Sequence, residues 1–169
     1  KYLHRVMVTS SAYRLSSSAS GQESNLAKDP NNELYWRRLS PRMEAQVVRD
    51  SLLLLAGTLD MTIGGPSVAP GNGAGRRRSL YFTHSRDDRN PFLSMFDDAD
   101  ILRCYRRQES IVPQQALTMA TSELSLQMAR TLGERLHKEV QEKTATEQRS
   151  HDTRFVEAAF ESGLCRLPT

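Results

Sequence analysis

A chain of 169 residues with 23 Lys and Arg against 20 Asp and Glu has a formal charge of +3, which is basic without being a polycation. Its apolar fraction of 38% and charged fraction of 25% are slightly polar for a globular protein but far from the composition that prevents folding, so one domain with a real core is expected. The two cysteines, Cys104 and Cys165, lie far apart without Cys-x-x-Cys or a neighbouring histidine, which disfavours a zinc site, a thioredoxin-like motif and haem attachment within the chain.

Leu3, Val6, Met7 and Ser10 recur at helical spacing, so the chain opens on an amphipathic helix. Ser16 to Gly21 reads as a loop, and Asp29-Pro30-Asn31-Asn32 as a turn. Glu33 to Leu39 is expected to add one or two helical turns, with Trp36 as a core or interface anchor. The strongest helix is expected to begin at Ser40-Pro41, with serine as cap and proline in the first turn, and to end near Leu55 or Ala56, where Gly57 can close it. On a wheel, Met43, Val47, Val48, Ser51, Leu52, Leu54 and Leu55 form one broad arc that also contains Glu44. A carboxylate on an apolar face must be paired, protonated or lifted to water, so Glu44 is read either as a first-turn residue favoured by the helix dipole or as half of a buried pair.

Gly64 to Gly75 is a glycine-rich loop, and Arg78 to His84 is the best strand, needing Val68 or an outside segment as partner. Asn90 to Phe96 reads as a helical turn that buries its aromatics, and Asp97 to Arg107 as irregular and highly charged. Pro113 opens a helix over Gln114 to Ala120 that Ser122 restarts, after which Leu124, Met128, Leu132, Leu136 and Val140 repeat every four residues. The polar run Gln141 to Ser150 precedes a last helix, Asp152 to Ser162, with Phe155, Val156, Ala159 and Phe160 on its apolar face and Gly163 as the stop. The fold class is therefore mainly α, an irregular helical domain with one short strand or hairpin and long polar loops. No apolar run approaches a membrane span, the longest being Leu52 to Ala56.

No complete catalytic constellation is present. The glycine loop lacks P-loop and dinucleotide spacing, and Gly65 to Ala69 lacks the last glycine of a nucleophile elbow. Arg76-Arg77-Arg78 with Tyr81 and Phe82, and a second cluster of Arg103, Arg106 and Arg107, could hold a nucleic-acid backbone and stack bases. Asp87, Asp88, Asp97, Asp98 and Asp100 stand between the clusters, so intramolecular pairing is the competing reading, and their spacing is not that of a calcium loop. His4, His84, His137 and His151 show no ligand spacing in sequence, and no metal is expected. The candidates for acid or base work are Glu44, Asp50 and His84; those for binding are Arg78, Tyr81, Phe82, Arg106 and Arg107.

Four segments, taken in order, carry a family resemblance: Leu3 to Arg14, Trp36-Arg37-Arg38 through Met43-Glu44-Ala45 to Leu52, Arg78 to Phe82, and Asn90-Pro91-Phe92-Leu93 through Asp97 to Leu117. They resemble the planctomycete PSD domain, a domain of unknown function found toward the C-terminal end of large chains that often also contain a cytochrome-c-like domain. The resemblance covers residue 3 to about residue 140, and Arg166-Leu167-Pro168-Thr169 looks like its continuation. Residues 1–140 are thus expected to be most of such a domain, truncated on its N-terminal side, and 141–169 a linker and the start of a helical continuation. The chain has Met119-Ala120-Thr121-Ser122 where the family has a leucine-rich stretch ending in Asn-Ser.

The resemblance implies an uncharacterised accessory or interaction domain of a large exported protein at the periplasm or cell surface, with any haem in a separate domain. Its expected partners are other domains of the same chain and a protein or glycan. The alternatives are a hydrolase or carbohydrate-active domain built on Glu44, Asp50 and His84, and a nucleic-acid-binding module. In an oxidising compartment a Cys104–Cys165 disulfide becomes an open question, against two packed free thiols.

Overall fold

The computed structural model describes residues 1–69, 75–100, 102, 112–144 and 150–168. Arg103, Cys104, Arg106, Arg107, residues 70–74 of the glycine loop and the centre of the 141–150 run lie outside the described residues. The described backbone is mainly α-helical and forms two compact units, Lys1–Arg42 and Met43–Thr169.

The first unit holds α1 (Tyr2–Thr9) and α2 (Glu23–Lys28). The apolar face of α1 is exposed. After α2, side chains organise the backbone: the Asp29 carboxylate accepts the N–H groups of Glu33 and Leu34 at 2.9 and 2.8 Å, and the Asn32 amide donates to Arg37 O and accepts its N–H. The Trp36 indole donates to Asp29 O at 2.9 Å. The helical turns expected over Glu33 to Leu39 are absent, and the Arg37 N–H that a helix would send to Glu33 O bonds Asn32 Oδ1 instead. Asn32 and Tyr35 adopt positive φ, 58° and 52°, within this loop.

The second unit is organised around α3 (Ala45–Leu55). This helix begins four residues later than Ser40-Pro41 suggests, with Glu44 in extended geometry at the cap position. Residues 41–44 are all exposed, whereas Ala45 is fully buried against Leu93 and Phe96, so the first turn that packing can stabilise starts there. The other end closes as expected at Gly57, whose φ is +72°. Gly57 N–H bonds Leu54 O and Thr58 N–H bonds Leu53 O, both at 2.9 Å, the paired bonds of a Schellman motif.

The strand expected over Arg78 to His84 is a correction. A 3₁₀ turn, Ser79–Tyr81, interrupts it, leaving isolated parallel bridges between Val68 and Phe82 and between Asp60 and Arg77. Val68 is the expected partner, but Ser79 is drawn into the unit by side-chain bonds that a flat strand could not accommodate.

Next come α4 (Pro91–Met95), α5 (Val112–Thr121), α6 (Glu123–Thr144) and α7 (His151–Leu164). Asn90 caps α4 by accepting Leu93 N–H at 3.1 Å, and Ser122 accepts Ser125 N–H at 3.2 Å to restart the helix as α6. The α6 stripe faces inward, with Met128, Leu136 and Val140 buried. α7 passes through Gly163, and its left-handed residue is Cys165 at φ 51°. Two clusters make the core: Ala45, Leu93 and Phe96 between α3 and α4, and Leu53, Ala56 and Met128 between α3 and α6.

Candidate functional site

The buried face of α3 lies outside the broad apolar arc, of which Val48 and Leu52 at the edge pack against the core and another part lines a cavity. Ala45, Arg49, Leu53 and Ala56 face the interior, while Glu44, Val47, Ser51 and Leu54, spaced three and four apart, line a cavity of about 740 Å³. Its other walls are Leu59 and Met61, the segment Arg78 to Ser85 without Tyr81, the stretch Asp88 to Asn90, Leu93, and Asp98 with Ala99. A cavity of this size suits a small molecule or a few residues of peptide.

Arg49 sets this architecture. Its side chain is 3% exposed, and its guanidinium donates to Arg77 O at 3.0 Å, Ser79 Oγ at 3.2 Å, Asp50 Oδ1 at 3.3 Å and Gly75 O. The group also lies 4.5 Å above the Phe82 ring. Burial lowers the Arg49 pKa, while the Asp50 charge and hydrogen bond oppose that shift. Asp50 completes the clamp: its carboxylate accepts the Ser79 N–H at 2.9 Å and the Ser79 hydroxyl proton at 2.6 Å, and the Arg78 Nε lies 4.0 Å from Oδ2. Two adjacent residues of α3 thereby hold the 3₁₀ turn that forms one wall of the cavity.

The structure brings Glu44, Asp50, His84, Arg78 and Phe82 to one cavity and places Tyr81 outside its lining. Tyr81 instead accepts Gly64 N–H at 2.9 Å through its hydroxyl, and Arg77 lies 4.0 Å above its ring while donating to Pro66 O at 2.9 Å and to Gly64 O. The Phe82 and Tyr81 rings are thus each faced by an internal guanidinium. Glu44 is exposed at the cap position before α3 and does not lie within its first turn. His84 Nε2 lies 2.9 Å from Ala99 O; a carbonyl only accepts, so this nitrogen carries the proton. Arg106 and Arg107 lie outside the described residues. Just beyond the cavity, hydrogen bonds from Thr62 hold the Asp60 carboxyl below its usual range.

Arg49, Ser79 and Gln46 escape sequence reading as site residues. Gln46 donates to Asp98 Oδ1 at 2.6 Å across 52 residues of sequence. His137 of α6 and His151 of α7 meet edge to face with centroids 4.8 Å apart, a pairing that only the helix contact creates. Among the described residues, no group of three His, Cys, Asp or Glu side chains is placed to hold a metal ion, and no helix is long and apolar enough to cross a membrane. Cys165 is an exposed free thiol.

A family model described as PSD1, protein of unknown function (DUF1553), matches residues 1–169. No curated protein and no solved structure matches the chain.

Proposed function

The chain belongs to the PSD1 family of proteins of unknown function, and on that premise we propose that it is a non-catalytic accessory or interaction domain whose cavity receives part of a partner. The observation that carries this reading is the use made of one of the candidate acids. Asp50 spends both oxygens holding Ser79, with Arg49 behind it, so it acts as an anchor of the cavity wall. The cavity also combines four well exposed large apolar side chains, Val47, Leu54, Met61 and Leu80, in one concave surface. The proposed setting, supported by the resemblance to planctomycete PSD domains, is a large exported bacterial protein, with a cytochrome-c-like domain elsewhere in the parent chain. Docking against those neighbouring domains is the simplest use of such a surface.

The rival reading, a hydrolase or carbohydrate-active domain, has one observation in its favour: Glu44 and His84 line the same cavity. The deciding experiment replaces Glu44 and His84 singly by Ala in the intact parent protein and follows turnover of ester and polysaccharide substrates together with the melting temperature. The binding reading expects no turnover attributable to either residue. Turnover that disappears in a variant of unchanged melting temperature overturns it. A nucleic-acid-binding role has less support, because the Tyr81 and Phe82 rings are already faced by Arg77 and Arg49.

A further inference from the structure

We propose that the first unit, Lys1–Arg42, docks on an anionic lipid surface through the apolar face of α1 and the exposed loop tip Leu34–Tyr35. The first support is charge. The unit carries 7 basic residues against 3 acidic ones, a formal +4 with His4 neutral, whereas Met43–Thr169 has 16 against 17. Lys1, Arg5, Arg14 and Lys28 are exposed. Asp29 is buried, with its carboxylate held by the Glu33 and Leu34 N–H groups, so the acids left at the surface of the unit are Glu23 and Glu33. The positive charge of the chain therefore belongs to this unit, and each basic side chain near an anionic bilayer adds to its attraction.

The second support is apolar surface that the unit does not use for its own packing. Its buried residues are Asp29 and Asn32, while Tyr2 (83%), Leu3 (65%), Val6 and Met7 of α1 and Leu34 (81%) and Tyr35 (77%) of the loop are exposed. The tip is also set in advance. Asp29, Asn32 and the Trp36 indole fix its backbone, and Asn32 and Tyr35 are held at positive φ, a conformation that costs free energy in residues other than glycine. A strained loop that displays two large apolar side chains is arranged for a contact outside the unit. At a lipid surface the leucine enters the acyl boundary, the phenol stays at headgroup depth and the basic side chains meet the phosphates. A soluble polyanion would satisfy the charge and leave Leu34 and the face of α1 in water.

The test mixes the full chain with vesicles of phosphatidylcholine alone and of phosphatidylcholine with phosphatidylglycerol. Co-sedimentation gives the bound fraction, and the emission of Trp36, the only tryptophan and the residue after Tyr35, reports on the tip. Binding to the phosphatidylglycerol vesicles is expected to be about tenfold tighter than to phosphatidylcholine and to weaken as salt rises. Trp36 emission is expected to shift to the blue and to be quenched by brominated acyl chains. Arg5→Gln combined with Arg14→Gln is expected to weaken binding about tenfold. Leu34→Ser combined with Tyr35→Asn changes exposed side chains and puts at position 35 a residue that tolerates positive φ, so folding is not at stake. That variant is expected to bind about fivefold more weakly and to lose the Trp36 shift, and Leu3→Ser combined with Val6→Ser to bind more weakly while its bound fraction keeps the shift.

Absence of vesicle binding, or equal binding to both kinds of vesicle, overturns the proposal. Binding that survives both apolar double variants overturns it as well, since charge alone then holds the chain. Self-association of the free chain that depends on Leu34 and Tyr35, with no vesicle binding, reassigns the surface to a second copy.

Discussion

Arg49 and Asp50 are sequence neighbours with opposite charges and a shared task. The guanidinium is buried and the carboxylate partly so, and together they satisfy the backbone and hydroxyl of Ser79, about 30 positions further along the chain. Taking away the negative charge leaves a buried cation with a poorer partner, a change of the kind that costs several kcal/mol. Asp50→Asn is therefore expected to destabilise the protein by about 2 to 4 kcal/mol in denaturant unfolding, with a shift in midpoint and no change in slope. An Asp50→Asn variant of native stability would show that the clamp contributes nothing. The sequence shows an acid at position 50 and arginines around it, but a buried arginine among buried Ala45 and Leu53 breaks the rule that charges face water, and no local pattern announces it. Its partners are backbone carbonyls of residues 75 and 77, which have no sequence signature at all.

At the scale of elements, legibility follows how local the determinant is. Helix ends fixed by a single residue read well: Asn90 before α4, Ser122 before α6 and Gly57 after α3 each do what their chemistry dictates. Ends decided by packing do not, which is why α3 waits for Ala45 and α7 runs through Gly163 to a left-handed cysteine. The Gly57 prediction is correspondingly clean. A Cβ there meets only Arg135 Cδ at 3.8 Å, an ordinary contact, so the whole cost of Gly57→Ala is its positive φ. Thermal or chemical unfolding is expected to register about 1 kcal/mol of destabilisation. The arc of α3 illustrates a different limit: a wheel reports which side chains share a face but not what that face meets, and here much of the apolar arc lines the cavity while Ala45, Arg49 and Leu53, outside it, are buried.

At the scale of the molecule, the two compact units differ in how they are held. In Lys1–Arg42 the buried residues are Asp29 and Asn32, polar organisers of a loop, and the large apolar side chains of α1 are exposed. In Met43–Thr169 the buried set includes Ala45, Leu53, Leu93, Phe96, Met128, Leu136 and Val140. Amide exchange is expected to follow that difference: α1 exchanges near the rate of an unstructured peptide, while Leu53 and Leu136 set the slowest class. Protection of α1 equal to that of α6 would contradict it. The mainly helical class was legible because long amphipathic patterns dominate the second half, whereas the cavity was not, because its walls come from segments up to about 50 residues apart that only the folded chain brings together.

Because α3 is at once a wall of the cavity and the spine of the core, occupancy and folding are a single linked equilibrium. A ligand present at about one hundred times its dissociation constant adds about 2.7 kcal/mol to the free energy of unfolding. The melting temperature of this chain is thus itself a binding assay, one that can screen candidate partners before any reaction, or even any partner, has been identified.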